Sequence, residues 1–159
     1  MKRFVYSLLI AVLTLAHAAC DNSLDQTEDN RTIASRIEIV EDGEELIDYA
    51  FEEQDEDARP VLTSEIEKFD QYDVIFIGYP TWWYDMPQVL YNFFDTYDFS
   101  SKTIVSFNVH NGSQFSGTIE TIQELEPDAT VITDGYTVSE NDVADASEDV
   151  QVWLTSLGY

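Results

Sequence analysis

Apolar residues along this chain recur with two different periods, and the switches between them predict its elements. Val74-Ile75-Phe76-Ile77 is an unbroken β-branched and aromatic run, the mark of a strand buried on both faces. Gly78 ends the run, and Tyr79-Pro80 turns the chain away, because a residue before proline avoids helical angles. Thr103–Val109 (TIVSFNV) and Ala129–Thr133 predict two further strands, with Asp134-Gly135 as a turn after the second. Arg36–Val40 (RIEIV) reads as a strand near a sheet edge. Between these runs the period becomes helical. Leu46, Ile47, Ala50 and Phe51 share one face of Glu44–Glu53, and Ser64–Phe69 is a short helical approach to Val74. Val89, Leu90, Phe93, Phe94 and Tyr97 predict an amphipathic helix, and Ile119, Ile122 and Leu125 another that Pro127 stops. Ser139 with Asp142 resembles a capping box for a last helix. That helix turns Val143, Ala146, Val150, Trp153, Leu154 and Leu157 inward and stops at Gly158. Strands alternating with helices predict an α/β fold, a doubly wound parallel sheet with helices on both faces.

The N-terminus has a different pattern. Lys2 and Arg3 precede the apolar run Phe4–Ala16, which is too short to span a bilayer and ends in the small residues Ala16, Ala18 and Ala19. This is the composition of a secretory signal peptide. Cys20 follows directly, where a bacterial lipoprotein precursor is cleaved and lipidated. The expected organisation is a signal peptide over 1–19, an acidic tether over 20–35 and a folded domain over 36–159. The expected location is extracytoplasmic, anchored to the membrane through lipid on Cys20. Cleavage after Ala16-His17-Ala18, giving a soluble secreted or periplasmic protein, is the alternative.

Charge narrows the partners. With 32 acidic against 7 basic residues, the formal net charge is -25. Such a surface repels phosphate backbones and anionic headgroups, so nucleic acid and unaided membrane adhesion are excluded as partners. The 13% aromatic content argues for a packed core despite this charge. One cysteine and two histidines leave no set for zinc or for Cys/His catalysis, and no acidic cluster has the spacing of a calcium loop.

The candidate chemistry lies after the Val74 run. Tyr79-Pro80-Thr81-Trp82-Trp83-Tyr84-Asp85 places paired tryptophans at the carboxyl end of a strand, where open α/β sheets build ligand sites. Asp85 is placed to cap the next helix, with Pro87 near its first turn. This segment resembles the flavodoxin family, whose third strand runs into a Y-P-x-W-W-type loop. Asp98-Phe99-Ser100-Ser101-Lys102-Thr103 is similar to the family's lead into its fourth strand. The resemblance implies FMN as cofactor and FMN-dependent electron transfer or oxidoreductase activity, with a redox protein as partner. It implies that Pro80, Thr81, Trp82, Trp83, Tyr84 and Asp85 form one wall of the flavin site, with Trp83 as the main stacking residue. His110, Asn111, Gly112, Ser113 and Gly117 resemble the second ring-contacting loop. For His110, hydrogen bonding to a neighbour at the strand end stands level with flavin contact.

The family's first strand and phosphate loop have no evident counterpart, so the expected fold is flavodoxin-like with the first βα unit missing. Thr27–Thr32 faintly echoes a phosphate loop but lacks glycine and carries Glu28 and Asp29. Three readings follow: a flavin-dependent exported protein, a flavin-free binding or interaction module on the same fold, or a shortened gene product.

Overall fold

The computed structural model describes residues 4–5, 43–62 and 65–159. Among them, parallel strands β1 (Phe4–Val5), β2 (Val74–Pro80), β3 (Thr103–His110) and β4 (Thr130–Ser139) lie side by side in that order. The helices are α1 (Gly43–Asp55), α2 (Gln88–Thr96), α3 (Thr118–Leu125) and α4 (Ser147–Ser156). Single 3₁₀ turns occupy Phe69–Gln71 and Val143–Asp145. The expected α/β parallel sheet is therefore present.

Strand alternation sorts the core. Successive side chains of a strand point to opposite faces, so Ile75, Ile77 and Tyr79 of β2 join Ile104 of β3 beneath α2 and α3. Phe93 and Phe94 of α2 and Ile122 of α3 complete that cluster. Val74 and Phe76 join Val105 and Phe107 on the other face, where Trp153 of α4 covers them. The helices thus cover both faces.

Several boundaries differ from the sequence expectation. Gly78 does not end β2, which continues to Pro80 and pairs with β3 throughout. Its glycine serves packing, since a Cβ there would lie 2.1 Å from the Phe107 ring opposite. Asp134-Gly135 is not a terminal turn but a bulge within β4. Val105 pairs with Ile132 and Phe107 with Tyr136, so extra β4 residues bow out between them. The freed Asp134 carbonyl accepts the Trp153 indole N–H at 2.8 Å. Of the expected helical approach Ser64–Phe69, the described residues 65–68 are not helical, and a 3₁₀ turn at Phe69–Gln71 leads into β2 instead. The Ser139/Asp142 capping box is not formed. Ser139 Oγ instead accepts the Asn141 N–H, and α4 begins later, at Ser147. Its end is as expected: Gly158 has φ 86, and the N–H groups of Gly158 and Tyr159 donate to Thr155 and Leu154.

The N-terminal residues add one pairing. Phe4–Val5, part of the apolar run read as a leader, pairs in parallel with Val74–Ile75. The outer edge of β2 offers unpaired backbone groups, and an apolar extended segment satisfies two of its positions. Among the described residues the sheet is carried by β2–β4, with β1 paired to β2 at those two positions. Cys20, the tether, Thr27–Thr32 and Arg36–Val40 lie outside the described residues.

Acidity leaves a mark on stability. Burial, and then the charges of Asp98, Asp95 and Asp128, push the Glu126 carboxyl up to about 7. Its folded value lies above its usual 4.5, so the folded state holds this proton more tightly than the unfolded chain. The resulting stabilisation is complete below about 4.5 and is lost as pH rises through about 7. Glu126→Gln should therefore match wild type at pH 4 and exceed it at pH 8. Because the group is partly solvated, the gain should stay below about 1 kcal/mol. Urea midpoints at both pH values measure it, and a gain equal at both would refute the charge origin.

Candidate functional site

The residues singled out from the sequence fall at the carboxyl ends of β2 and β3, on the segments 80–85 and 110–117. The first segment is a tight turn. The Trp82 N–H donates to the Asp85 carbonyl at 2.8 Å, and the Asp85 N–H returns to Trp82 at 2.9 Å. Trp83 and Tyr84 between them have φ values of 47 and 64. Two consecutive positive φ angles define the type I′ class, which Asn-Gly normally fills. Here two aromatic side chains hold that backbone, at about 1–3 kcal/mol of strain per residue. The turn presents them outward, Trp83 45% and Tyr84 73% exposed.

Asp85 anchors the turn from below. Its Oδ1 accepts the Met86 N–H and its Oδ2 accepts the Tyr91 hydroxyl, each at 2.8 Å. Burial, reinforced by that carboxylate, raises the Tyr91 hydroxyl well above the usual tyrosine range. Arg59 lies over the Tyr91 ring at 4.9 Å and pairs with Asp57 and Asp95. The N-cap position of α2 itself belongs to Pro87, so Asp85 holds the turn to α2 without capping the helix.

In the second segment His110 closes β3, and its Nδ1 accepts the Gly112 N–H at 2.8 Å. His110 thus bonds a neighbour at the strand end. Ser113 accepts from Ser116 Oγ, and Asn111 is exposed. Gly112 and Gly117 have φ values of 101 and 92, and a Cβ on either would meet no heavy atom within 4 Å. Gln114 and Ser116 share the positive φ at 53 and 52. The loop therefore keeps a glycine-like backbone although its sequence is only partly glycine.

A polar clamp joins the two segments. Thr81 Oγ1 donates to the Gln114 carbonyl at 2.7 Å, and the Thr81 N–H donates to Val109 at 2.9 Å. Asn108 Nδ2 donates to Thr81 Oγ1 at 2.6 Å and to the Gln114 carbonyl at 2.8 Å. Asn108 is 1% exposed, and its Oδ1 has no hydrogen-bond partner among the described residues. Beneath the clamp, the Tyr79 hydroxyl and Thr118 Oγ1 share a 2.7 Å hydrogen bond. Burial, partly offset by that hydroxyl, pushes Tyr79 up to about 12. The tyrosine is neutral and structural at any physiological pH.

Helix α1 approaches from the side. Trp83 Nε1 donates to the Ile47 carbonyl at 2.9 Å, and its ring meets Phe51 with centroids 5.2 Å apart. Sequence periodicity puts Ile47, Ala50 and Phe51 on one helical face, yet Ile47 and Phe51 are 52% and 49% exposed and Ala50 alone of that set is buried among the described side chains. Asn108, Gln114, Tyr91, Ile47 and Phe51 were not read as site residues. Asn108 had one available signal, an amide inside the apolar run TIVSFNV; the others depend on which elements meet. Among the described residues there is no metal-binding cluster of His, Cys, Asp or Glu, and no helix is long and apolar enough to cross a membrane.

Comparisons with known proteins agree with this architecture. No curated protein matches the chain. A solved structure described as a putative flavoprotein, from Bacteroides uniformis, is 25% identical with a TM-score of 0.54, over 63% of this chain and 66% of that one. One from Bacteroides eggerthii is 21% identical with a TM-score of 0.55, over 89% and 87%. A Lactobacillus acidophilus flavoprotein solved in complex with FMN is 18% identical with a TM-score of 0.53, over 72% and 75%. The latter two likenesses concern the fold alone. A family model described as flavodoxin matches residues 44–157, the span that contains β2–β4, the aromatic turn and the clamped glycine loop, and the chain belongs to the flavodoxin family.

Proposed function

We propose that this protein binds a flavin by its ring system, between the Trp82–Asp85 turn and the His110–Gly117 loop, and serves in electron transfer. One observation carries the reading: Asn108 and Thr81 clamp the two segments together at the same end of adjacent parallel strands. Family membership and the FMN held by the Lactobacillus relative support it. A bound flavin would supply the redox chemistry. The chain's part is to stack on the ring, orient it and set the charge around it.

The residues fit the ring half of FMN. Trp83 and Tyr84 offer exposed aromatic surface, Gly112 and Gly117 leave open space, and Asn108 Oδ1 is an unused acceptor. The phosphate half finds no partner among the described cations. Arg59 is held by Asp57 and Asp95. Lys102 precedes β3, at the end opposite the site, and donates to carbonyls of Phe69, Asp70 and Tyr72; Lys68 adjoins that same turn. Hydrogen bonds to a charged group contribute about 1.5–3 kcal/mol each, so a site without them loses orders of magnitude in FMN affinity.

Riboflavin and FMN should therefore bind with similar, weak affinity, and Trp83→Ala should weaken both alike. Tryptophan quenching titrations with each flavin test this. FMN binding a hundredfold tighter than riboflavin would reveal a phosphate site, and no quenching by either would favour the flavin-free interaction module. Attachment through Cys20 outside the cytoplasm belongs to the same proposal, with the Phe4–Val5 pairing then confined to the uncleaved precursor; membrane fractionation of Cys20→Ser against wild type is its test.

A further inference from the structure

We propose that Phe51 of α1 occupies the Trp83 platform in competition with a flat ligand, so that α1 lowers the affinity of the site. This rests on the ring-binding reading above.

The contacts are specific. Trp83 is the exposed aromatic that the reading uses for stacking, yet its ring already meets an aromatic partner. Phe51 lies 5.2 Å away at 63°, an edge-on geometry that aromatic pairs favour. The Trp83 indole N–H is also engaged, at the Ile47 carbonyl one turn earlier on the same helix. Gln54 Nε2 reaches the Trp83 carbonyl at 3.5 Å, so α1 touches both the ring and the backbone of the turn. A ligand ring inserted between two aromatics needs their faces about 7 Å apart, twice an aromatic contact distance. Ring centroids at 5.2 Å leave no such slot.

The energetics allow displacement. Phe51 is half exposed, so releasing it from Trp83 opens little of the core. The strained backbone at Trp83 and Tyr84 is held in part by these α1 contacts, and strain of this kind persists only where the surroundings impose it. A ligand that stacks on the Phe51 side of the ring must first break that contact, and its apparent affinity falls by the population of the open form. An aromatic pair of this kind corresponds to about two- to tenfold in an equilibrium.

The test uses Phe51→Ala in the full chain, with Trp82→Phe and Trp153→Phe added so that Trp83 is the reporting tryptophan. Two quantities are measured: acrylamide quenching of Trp83 without ligand, and the riboflavin dissociation constant. The expected result is faster quenching together with riboflavin binding about two- to tenfold tighter. Unchanged quenching would overturn the proposal, because Phe51 would then not cover Trp83. Faster quenching with weaker or equal riboflavin binding would overturn it too, making Phe51 a second wall of the site or a bystander. Faster quenching with no riboflavin bound by either protein would retain the cover and remove the flavin reading, and with it the competition. Circular dichroism confirms that α1 persists in the variant.

Discussion

Ile77→Asp should abolish cooperative unfolding. Ile77 is 0% exposed, on the β2 face packed under α2 and α3 beside Ile75, Tyr79 and Ile104. The described cations lie elsewhere: Arg59 is committed to Asp57 and Asp95, and Lys102 to backbone carbonyls. An unpaired carboxylate buried there costs several kcal/mol, comparable with the whole stability of a domain, about 5–15 kcal/mol. A urea melt followed by circular dichroism should show a broad, non-cooperative change. Val61→Asp is the control, since Val61 is exposed and its substitution should move stability by no more than about 0.5 kcal/mol. A wild-type-like transition for Ile77→Asp would remove β2 from the core.

Lys102→Met should destabilise the fold by about 2–4 kcal/mol. Lys102 is a buried cation that reaches back under the sheet. Its Nζ donates to the Tyr72 carbonyl at 2.8 Å and lies within 3.5 Å of those of Phe69 and Asp70. It also sits 5.1 Å from the centre of the Phe69 ring. Methionine keeps the apolar stem but leaves the carbonyls without their donor. A charge-assisted hydrogen bond contributes about 1.5–3 kcal/mol, and a cation over a ring about 0.5–2 kcal/mol. The loss should appear as a lower urea midpoint with an unchanged slope. A change under about 0.5 kcal/mol would mean that water replaces the ammonium freely.

Lys102 also illustrates how legible the fold was. The stretch Asp98–Thr103 carries a family resemblance, but nothing in it says that the lysine folds back onto residues thirty positions earlier. Asn108 is similar. Its place in an apolar strand was visible, whereas its two acceptors, Thr81 and Gln114, come from different segments. Trp83 was legible as a ring in a loop, and its attachment to α1 was not. Hydrogen bonds between remote segments leave no periodic trace, because each partner satisfies only a local rule in its own stretch.

What the sequence determined by itself was the alternation of elements. Val74–Ile77, Thr103–Val109 and the helical faces at Phe93, Ile122 and Trp153 each bury an apolar set, and burial of such sets imposes a period on the chain. It determined the aromatic turn's position, through Pro80 and the strand before it, and the helix stop at Gly158, through its positive φ. Tertiary structure decided the rest. Phe107 across the ladder, rather than any turn preference, explains Gly78 within β2. The Trp153 indole captures the bulged carbonyl that turns Asp134-Gly135 from a strand end into the middle of β4. The direction of the Asp85 carboxylate, the closure of Thr81 onto Gln114 and the docking of Trp83 on α1 were likewise fixed by neighbours. Each depends on where a hydrogen-bonding partner or a ring from another element arrives, and only the packed sheet brings those groups within reach.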